Sequence, residues 1–342
     1  MMLTAILSFL AAAVVLYVVL AGADFGAGIL EIFGRGRPEV RRAVTHAMAP
    51  VWEANHVWLI LIVVILFMGF PSVYTTISVH LFLPTMAVLV GVVGRGSAFT
   101  FRHYDVATPG HGWLAGDWSR AWSVLFAGSS LWTAAWLGVL AGAMVFGRID
   151  PQAADAVTLY VAPWANPFCL AMAVFTCAVF ALLAAVFLVG ETREPALQGW
   201  FRTAAGRAAV VVVAAGAAVF GTAEAAGHPL LGDFFATPTS IAAFVLATLL
   251  LVPFARALRA GGRTSTRVLG VAIVTIVLFG WFTVQYPVAV ALSGTDSLTF
   301  PGTAAPEATQ RALLGALVVG IALLLPALAV LFRIFKRETF AR

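Results

Sequence analysis

Nine stretches of about 20 mostly apolar residues run along this chain, and they leave room for little except a bundle of membrane-crossing helices. They fall at 5–30, 53–70, 73–101, 121–146, 164–190, 207–226, 240–258, 267–291 and 311–334 of the 342 residues. At 1.5 Å per residue such a stretch crosses ~30 Å of hydrocarbon as a helix. Inside lipid every backbone N–H and C=O must be satisfied within the protein, so helices or a closed barrel are the only spanning structures. Charged residues make up 10% of the chain, against roughly a quarter in a soluble domain. The expected fold is therefore an all-α integral membrane protein. The longest polar connection is about 20 residues, which leaves no space for a soluble domain.

Loop charge gives an orientation, because Lys and Arg are retained on the cytoplasmic side. One set of connections holds Arg35, Arg37, Arg41 and Arg42, then Arg95, Arg102 and Arg120, and continues in this way to Lys336, Arg337 and Arg342, for 18 of the 20 basic residues. The alternate connections hold only Arg148 and Arg311, together with Asp150, Asp155, Asp233, Asp296 and Glu307. The N-terminus is expected outside and the C-terminus inside, which requires an odd number of spans and agrees with nine. The net charge of +5 is spread over helix ends, so it reports orientation and gives no nucleic-acid-binding face. The first span lacks a basic leader and a small-residue cleavage site, and is expected to be a retained helix.

The spans divide into two sets of four with one left over. Residues 1–146 are expected to form a first four-helix bundle and residues 164–291 a second. Residues 147–163 form an outer loop between them, and residues 292–342 a ninth, peripheral helix with a cytoplasmic tail. Polar chemistry is unevenly shared. Asp24, Glu53, His56, His80 and Arg95 all lie in membrane runs of the first half, where ionisable groups are costly enough to be functional candidates by default. Following the chain in and out places Asp24, Glu53, His56 and Arg95 at one cytoplasmic end, with Glu53 and His56 three apart on one helix face.

Each candidate also has an ordinary reading. Asp24 can simply pair with Arg95, Glu53 can complement a helix dipole, and His56 and His80 can be packed, hydrogen-bonded histidines. His46, His103 and His111 read as solvated loop residues. Trp52, Trp58, Trp113, Trp118 and Trp122 sit near span ends, where aromatic belts are expected. Cys169 and Cys177 lie in one span without metal spacing and read as packing residues. Glu53-Ala54-Asn55-His56 fits the Glu-x-x-His of di-metal bundles, but the second copy that such sites need is missing. The glycines of Gly22-Ala23-Asp24-Phe25-Gly26-Ala27-Gly28 and of Gly91 to Gly96 have no preceding strand; in membrane helices they permit close packing.

Four segments carry a resemblance. Asp24-Phe25-Gly26-Ala27-Gly28-Ile29-Leu30, Ala49-Pro50-Val51-Trp52-Glu53-Ala54-Asn55-His56-Val57-Trp58-Leu59-Ile60, Phe70-Pro71-Ser72-Val73-Tyr74 and Arg95-Gly96-Ser97-Ala98-Phe99-Thr100-Phe101-Arg102 resemble subunit II of the cytochrome bd ubiquinol oxidase family. The motifs occur in the family's order and cover about the first 105 residues. The resemblance implies a multi-pass protein of the bacterial cytoplasmic membrane in an aerobic respiratory oxidase. Its partner, subunit I, would hold two b-type haems and one d-type haem, oxidise quinol and reduce oxygen to water. This chain would bind no haem or metal, with lipid around it and a small single-helix subunit as a possible further partner. The chain would buttress subunit I and line proton or oxygen access; by motif position Asp24 and Arg95 would support the haem region, and Glu53 would be the cytoplasmic proton entry. Asn55, His56, Trp52, Trp58, Phe99 and Arg102 would be auxiliary.

The chain departs from the family pattern twice. An acid expected shortly before Asp24 is absent, since the stretch is Ala21-Gly22-Ala23. The family's Trp-Asp-Gly-Asn is here Trp52-Glu53-Ala54-Asn55, followed by His56, which titrates near neutral pH. Glu53 and His56 together could replace a longer carboxylate relay. Two other readings stay open: a proton-coupled secondary transporter, which would need broken helices at matching places in both halves, and a purely structural membrane partner.

Overall fold

The computed structural model describes the backbone of residues 1–107 and 117–340, and side chains except those of 49–54, 102–107, 117–120, 331, 332 and 334–340. The chain runs through α1 (Met2–Phe33), α2 (Pro38–Gly69), α3 (Pro71–His80), α4 (Phe82–Ala107), α5 (Asp117–Val145) and α6 (Ala156–Tyr160). It continues through α7 (Pro167–Glu191), α8 (Pro195–Ala225), α9 (Leu230–Ala236), α10 (Pro238–Ala260) and α11 (Arg263–Gln285), and then β1 (Val288–Val290), β2 (Leu298–Thr299) and α12 (Glu307–Phe340). Five of these helices, α2, α3, α7, α8 and α10, open on proline. Its missing N–H costs nothing in the first turn, and its fixed φ is already helical.

Among the described residues, eight helices are long and apolar enough to cross a membrane, or nine if one bent pair is a single span. That pair corrects the sequence expectation. The run at 53–70 ends in α2, but the run at 73–101 is not one helix. Its first part is α3, which leaves the Asn55–Gly69 segment of α2 at 115°. Phe70 supplies the break: the residue before a proline is pushed out of the α region, and Phe70 has φ −140° and ψ 64°. A second break at Leu81 separates α3 from α4, and Pro84 then sits in the first turn of α4, where its lack of an N–H is harmless.

The run at 267–291 is also corrected. Helix α11 stops at Gln285, and Val288–Val290 forms the antiparallel pair β1–β2. This hairpin straps the bundle: Ala291 N donates to Met144 O (2.8 Å), Ser293 N to Ile149 O (2.9 Å), and Ala305 N to Gly69 O (2.8 Å).

Helices α1 and α7 lie at the centre. The first packs against α2, α5, α7 and α12, and the second against α1, α5, α8 and α11; α4 pairs with α5 and α10 with α11. Glycine makes the central crossing possible. A Cβ at Gly26 would lie 1.9 Å from the Phe180 carbonyl oxygen, and one at Gly22 would lie 2.5 Å from Leu183 Cδ1. Close backbone approach of this kind is how membrane helices gain van der Waals contact where lipid is as apolar as the side chains.

Candidate functional site

Residues 21–30 of α1 are buried without interruption, so no side of this segment faces lipid. Asp24 lies inside it with no exposed surface, and Arg95 of α4 is 1% exposed. A buried charge requires a partner, and these two supply each other: Arg95 Nη2 reaches Asp24 Oδ1 at 2.5 Å and donates to the Asp24 carbonyl at 2.9 Å. Asn55 of α2, also buried, donates Nδ2 to Asp24 Oδ2 at 2.7 Å. Arg95 Nε donates to Ser130 Oγ of α5 at 3.0 Å, and that hydroxyl donates to Phe126 O at 2.6 Å. One ion pair therefore ties together α1, α2, α4 and α5.

The local sequence explains how four helices converge. A Cβ at Gly28 would sit 2.2 Å from Ser130 Oγ, so glycine there lets α5 come close enough for its hydroxyl to reach Arg95. The guanidinium is sandwiched between aromatic faces, with Cζ 5.0 Å from the Phe25 ring centre and 4.7 Å from that of Phe126. Cation–π contact of this kind gains strength when water is excluded. Phe99 packs on Phe126 with centroids 6.2 Å apart, and Trp58 is 4% exposed in the same core.

The sequence-predicted residues are distributed as follows. Asp24, Asn55 and Arg95 meet directly, although Asp24 and Arg95 are 71 positions apart. Trp58 and Phe99 are buried in the surrounding core, and His56 is half-buried and within electrostatic reach of Asp24. The side chains of Glu53, Trp52 and Arg102 lie outside the described residues; the backbone places Glu53 on α2, two positions before Asn55. His80 ends α3 and is under the influence of Asp150, about 20 Å of helical rise from Arg95 along α4. Ser130 is a member of the site that the sequence reading did not single out. Its signal was a run of hydroxyls, Ser129, Ser130 and Thr133, in an otherwise apolar helix. Among the described residues no group of three or more His, Cys, Asp or Glu side chains is arranged to hold a metal ion. The pair can hold a fixed dipole in a dry interior and anchor a hydrogen-bond network around it.

The second half has a polar cluster of another kind. Arg267 Nη2 donates to Phe187 O (2.9 Å) and to Glu191 Oε1 (2.8 Å), while Gln198 Nε2 donates to Val189 O (3.0 Å). Gln198 thus caps the Val189 carbonyl, which has no helical partner, and Arg267 adds a second bond to the Phe187 carbonyl in the last turn of α7.

A family model described as cytochrome bd terminal oxidase subunit II matches residues 2–335. Cytochrome bd ubiquinol oxidase subunit 2 of Bacillus subtilis (strain 168) is 37% identical over 83 residues, 24% of this chain and 25% of that protein. The match thus spans a quarter of the length of that relative. The structure of bd oxidase from Geobacillus thermodenitrificans has a chain that resembles this one with a TM-score of 0.77 over 98% of both chains, at 19% identity, so the two share a fold.

Proposed function

This chain belongs to the cytochrome bd terminal oxidase subunit II family, and from that premise we propose that it is the non-haem subunit of a quinol:oxygen oxidoreductase. Its partner would be the subunit that holds two b-type haems and one d-type haem, in the bacterial cytoplasmic membrane. Quinol and oxygen are substrates of the whole complex, and a small single-helix subunit is a further expected partner. The nine-span arrangement, N-terminus outside and C-terminus inside, as two four-helix bundles with α12 peripheral, belongs to the same proposal. It counts α2 and α3 as one bent span and agrees with the placement of 18 of 20 basic residues on one side.

The observation that carries the mechanistic reading is the ion pair that joins four helices at Asp24. Both carboxylate oxygens are occupied, one by Arg95 and one by Asn55. A proton could leave or join Asp24 only by breaking a buried pair, which costs about 3–5 kcal/mol. Asp24 and Arg95 therefore act as a fixed electrostatic support for the haem-bearing partner. Proton entry falls to Glu53 and His56. They are three residues apart on one face of α2, with Glu53 about 3 Å of rise before Asn55. Glu53 takes a proton from the cytoplasmic side, and His56, in electrostatic reach of Asp24, is the next group along. Asn55, Trp58 and Phe99 pack at or around the pair, and Trp52 and Arg102 keep the auxiliary role that their motif positions imply.

The transporter reading would place a polar site near mid-membrane between matching broken helices. Here the buried ion pair lies within the first half, and the polar cluster of the second half caps a helix end. Affinity purification of the tagged chain from its native membrane tests the assignment. Co-purification of a haem subunit with b- and d-type bands in the reduced-minus-oxidised spectrum, together with quinol-dependent oxygen uptake, is expected. A haem-free preparation that exchanges protons in vesicles would overturn it.

A further inference from the structure

Positive charge is unevenly shared between the two halves of the chain. The segments 191–207 and 256–267 carry seven arginines, from Arg193 to Arg267, against two acids, Glu191 and Glu194. That excess equals the net charge of +5 of the whole chain, so everything outside these segments sums to neutral. In the first half, Arg35, Arg37, Arg41 and Arg42 share 31–53 with Glu31, Glu39 and Glu53, and Arg95 is balanced by Asp24. The fold joins the two basic segments. A Cβ at Gly261 would lie 2.5 Å from Arg202 Nη2, and one at Gly190 would lie 2.3 Å from Arg267 Nη2. Arg202 of α8 therefore lies against the α10–α11 turn, and Arg267 of α11 lies against the end of α7.

Arg267 also heads a groove. With Val268, Val271, Ala272, Thr275 and Ile276 of α11 it lines a space of about 540 Å³. From 267 to 276 the helix rises about 13 Å, close to the depth of one leaflet of a ~30 Å hydrocarbon core. Val268 is exposed and the other lining residues are half-buried, so the groove opens sideways on the surface of the bundle. The guanidinium is fixed at its head. Nη2 bonds to Phe187 O and Glu191, and Cζ lies 4.3 Å from the Phe187 ring centre. Those two bonds engage two of the five N–H donors of an arginine, and 32% of the side chain stays exposed.

This arrangement selects an occupant that is anionic at one end and apolar for about a leaflet beyond it. An inorganic anion has nothing to lay along Val268 to Ile276. A neutral lipid gains little from the basic face, and an acidic soluble peptide cannot follow the groove into hydrocarbon. A phospholipid of net negative charge satisfies both ends, because its phosphate oxygens accept charge-assisted bonds from a guanidinium. Basic pockets on the cytoplasmic side of membrane helices hold anionic head groups in this way. We propose that the Arg267 groove of α11 binds one anionic phospholipid, with its phosphate at Arg267 and an acyl chain along Val268 to Ile276. The site goes beyond the proton-entry reading and takes from the proposed function only the orientation that puts this end on the cytoplasmic side.

Titration of the detergent-purified oxidase with dioleoylphosphatidylglycerol or dioleoylphosphatidylcholine, with bound lipid counted by native mass spectrometry, tests the proposal. Phosphatidylglycerol is expected to bind more tightly than phosphatidylcholine, and inorganic phosphate at the same concentration is expected not to displace it. Arg267→Gln should weaken phosphatidylglycerol by about fivefold, the attraction of one arginine at a membrane surface. Ala272→Phe fills the groove without changing any charge and should weaken it at least as much. Normal haem bands in each variant show that the complex has assembled. Equal affinity for the two lipids, displacement by inorganic phosphate, or wild-type phosphatidylglycerol affinity in either variant would overturn the site. A haem-free preparation that still binds phosphatidylglycerol through Arg267 and the groove would uphold the site and overturn the oxidase assignment alone.

Discussion

Replacing the two halves of the buried ion pair separately should have unequal consequences. Asp24→Asn keeps the shape and leaves a guanidinium, permanently charged, without its counter-charge at 1% exposure. Two unit charges ~4 Å apart interact by about 4 kcal/mol at an effective dielectric of 20, and removing one member of a buried pair costs about 3–5 kcal/mol. Arg95→Met keeps most of the stem and leaves a carboxyl, which one proton can neutralise, so its cost should be roughly 1–3 kcal/mol. The double variant contains no buried charge and should be milder than Asp24→Asn alone, with a coupling energy of at least about 2 kcal/mol. At roughly 2 °C per kcal/mol for a chain of this size, Asp24→Asn lowers the thermal midpoint of the purified complex by about 6–10 °C, and the double variant recovers several degrees. Strict additivity of the two substitutions, or a larger loss for Arg95→Met than for Asp24→Asn, would refute this account of the pair.

Other outcomes rest on particular contacts. Gly26→Val should abolish the α1–α7 crossing, because its Cβ would fall 1.9 Å from the Phe180 carbonyl oxygen; the yield of assembled complex after solubilisation reads this out. Gly28→Ala should push Ser130 away from Arg95 at a cost of about 1–3 kcal/mol, seen as a lower midpoint with the Asp24–Arg95 bond intact in a structure. Arg267→Ala removes the second bond on the Phe187 carbonyl of α7, but the pair with Glu191 is 32% and 39% exposed, so the loss should be only about 1 kcal/mol. Asp155 accepts from Thr158 N at the start of α6, and that bond holds its carboxyl below the usual range. Protection of the Thr158 amide in hydrogen exchange should therefore be present at neutral pH and be lost only as the pH falls through the depressed value; Asp155→Ala removes it at every pH.

Hydropathy made most of the architecture legible, because apolar length is what a bilayer selects. It failed where apolar residues do something other than continue a helix. The run at 73–101 hid the α3–α4 break, since the hydroxyls of α3 (Ser72, Thr75, Thr76 and Ser78) can bond back to their own helix and do not by themselves interrupt a span; Pro71 and Pro84, with His80 between them, marked it. The run at 267–291 swallowed β1, because Val288-Ala289-Val290 is buried against the end of α5 and so carries an interior composition. At the site, Asp24, Asn55 and Arg95 stood out as expensive groups in an apolar background. Ser130 did not, because a hydroxyl in a membrane helix ordinarily bonds back to its own carbonyl, and Ser130 does that to Phe126 while also receiving Arg95.

The central claim is that α2 admits protons at Glu53 while Asp24 and Arg95 hold the structure beside it. Proton uptake and oxygen consumption by the Glu53→Gln oxidase, measured alongside its reduced-minus-oxidised spectrum, test it most directly. The account predicts haem bands of normal shape and amount with both rates reduced at least tenfold. Unchanged rates with normal haem bands would contradict proton entry at Glu53, and loss of the haem bands would assign Glu53 to structural support instead.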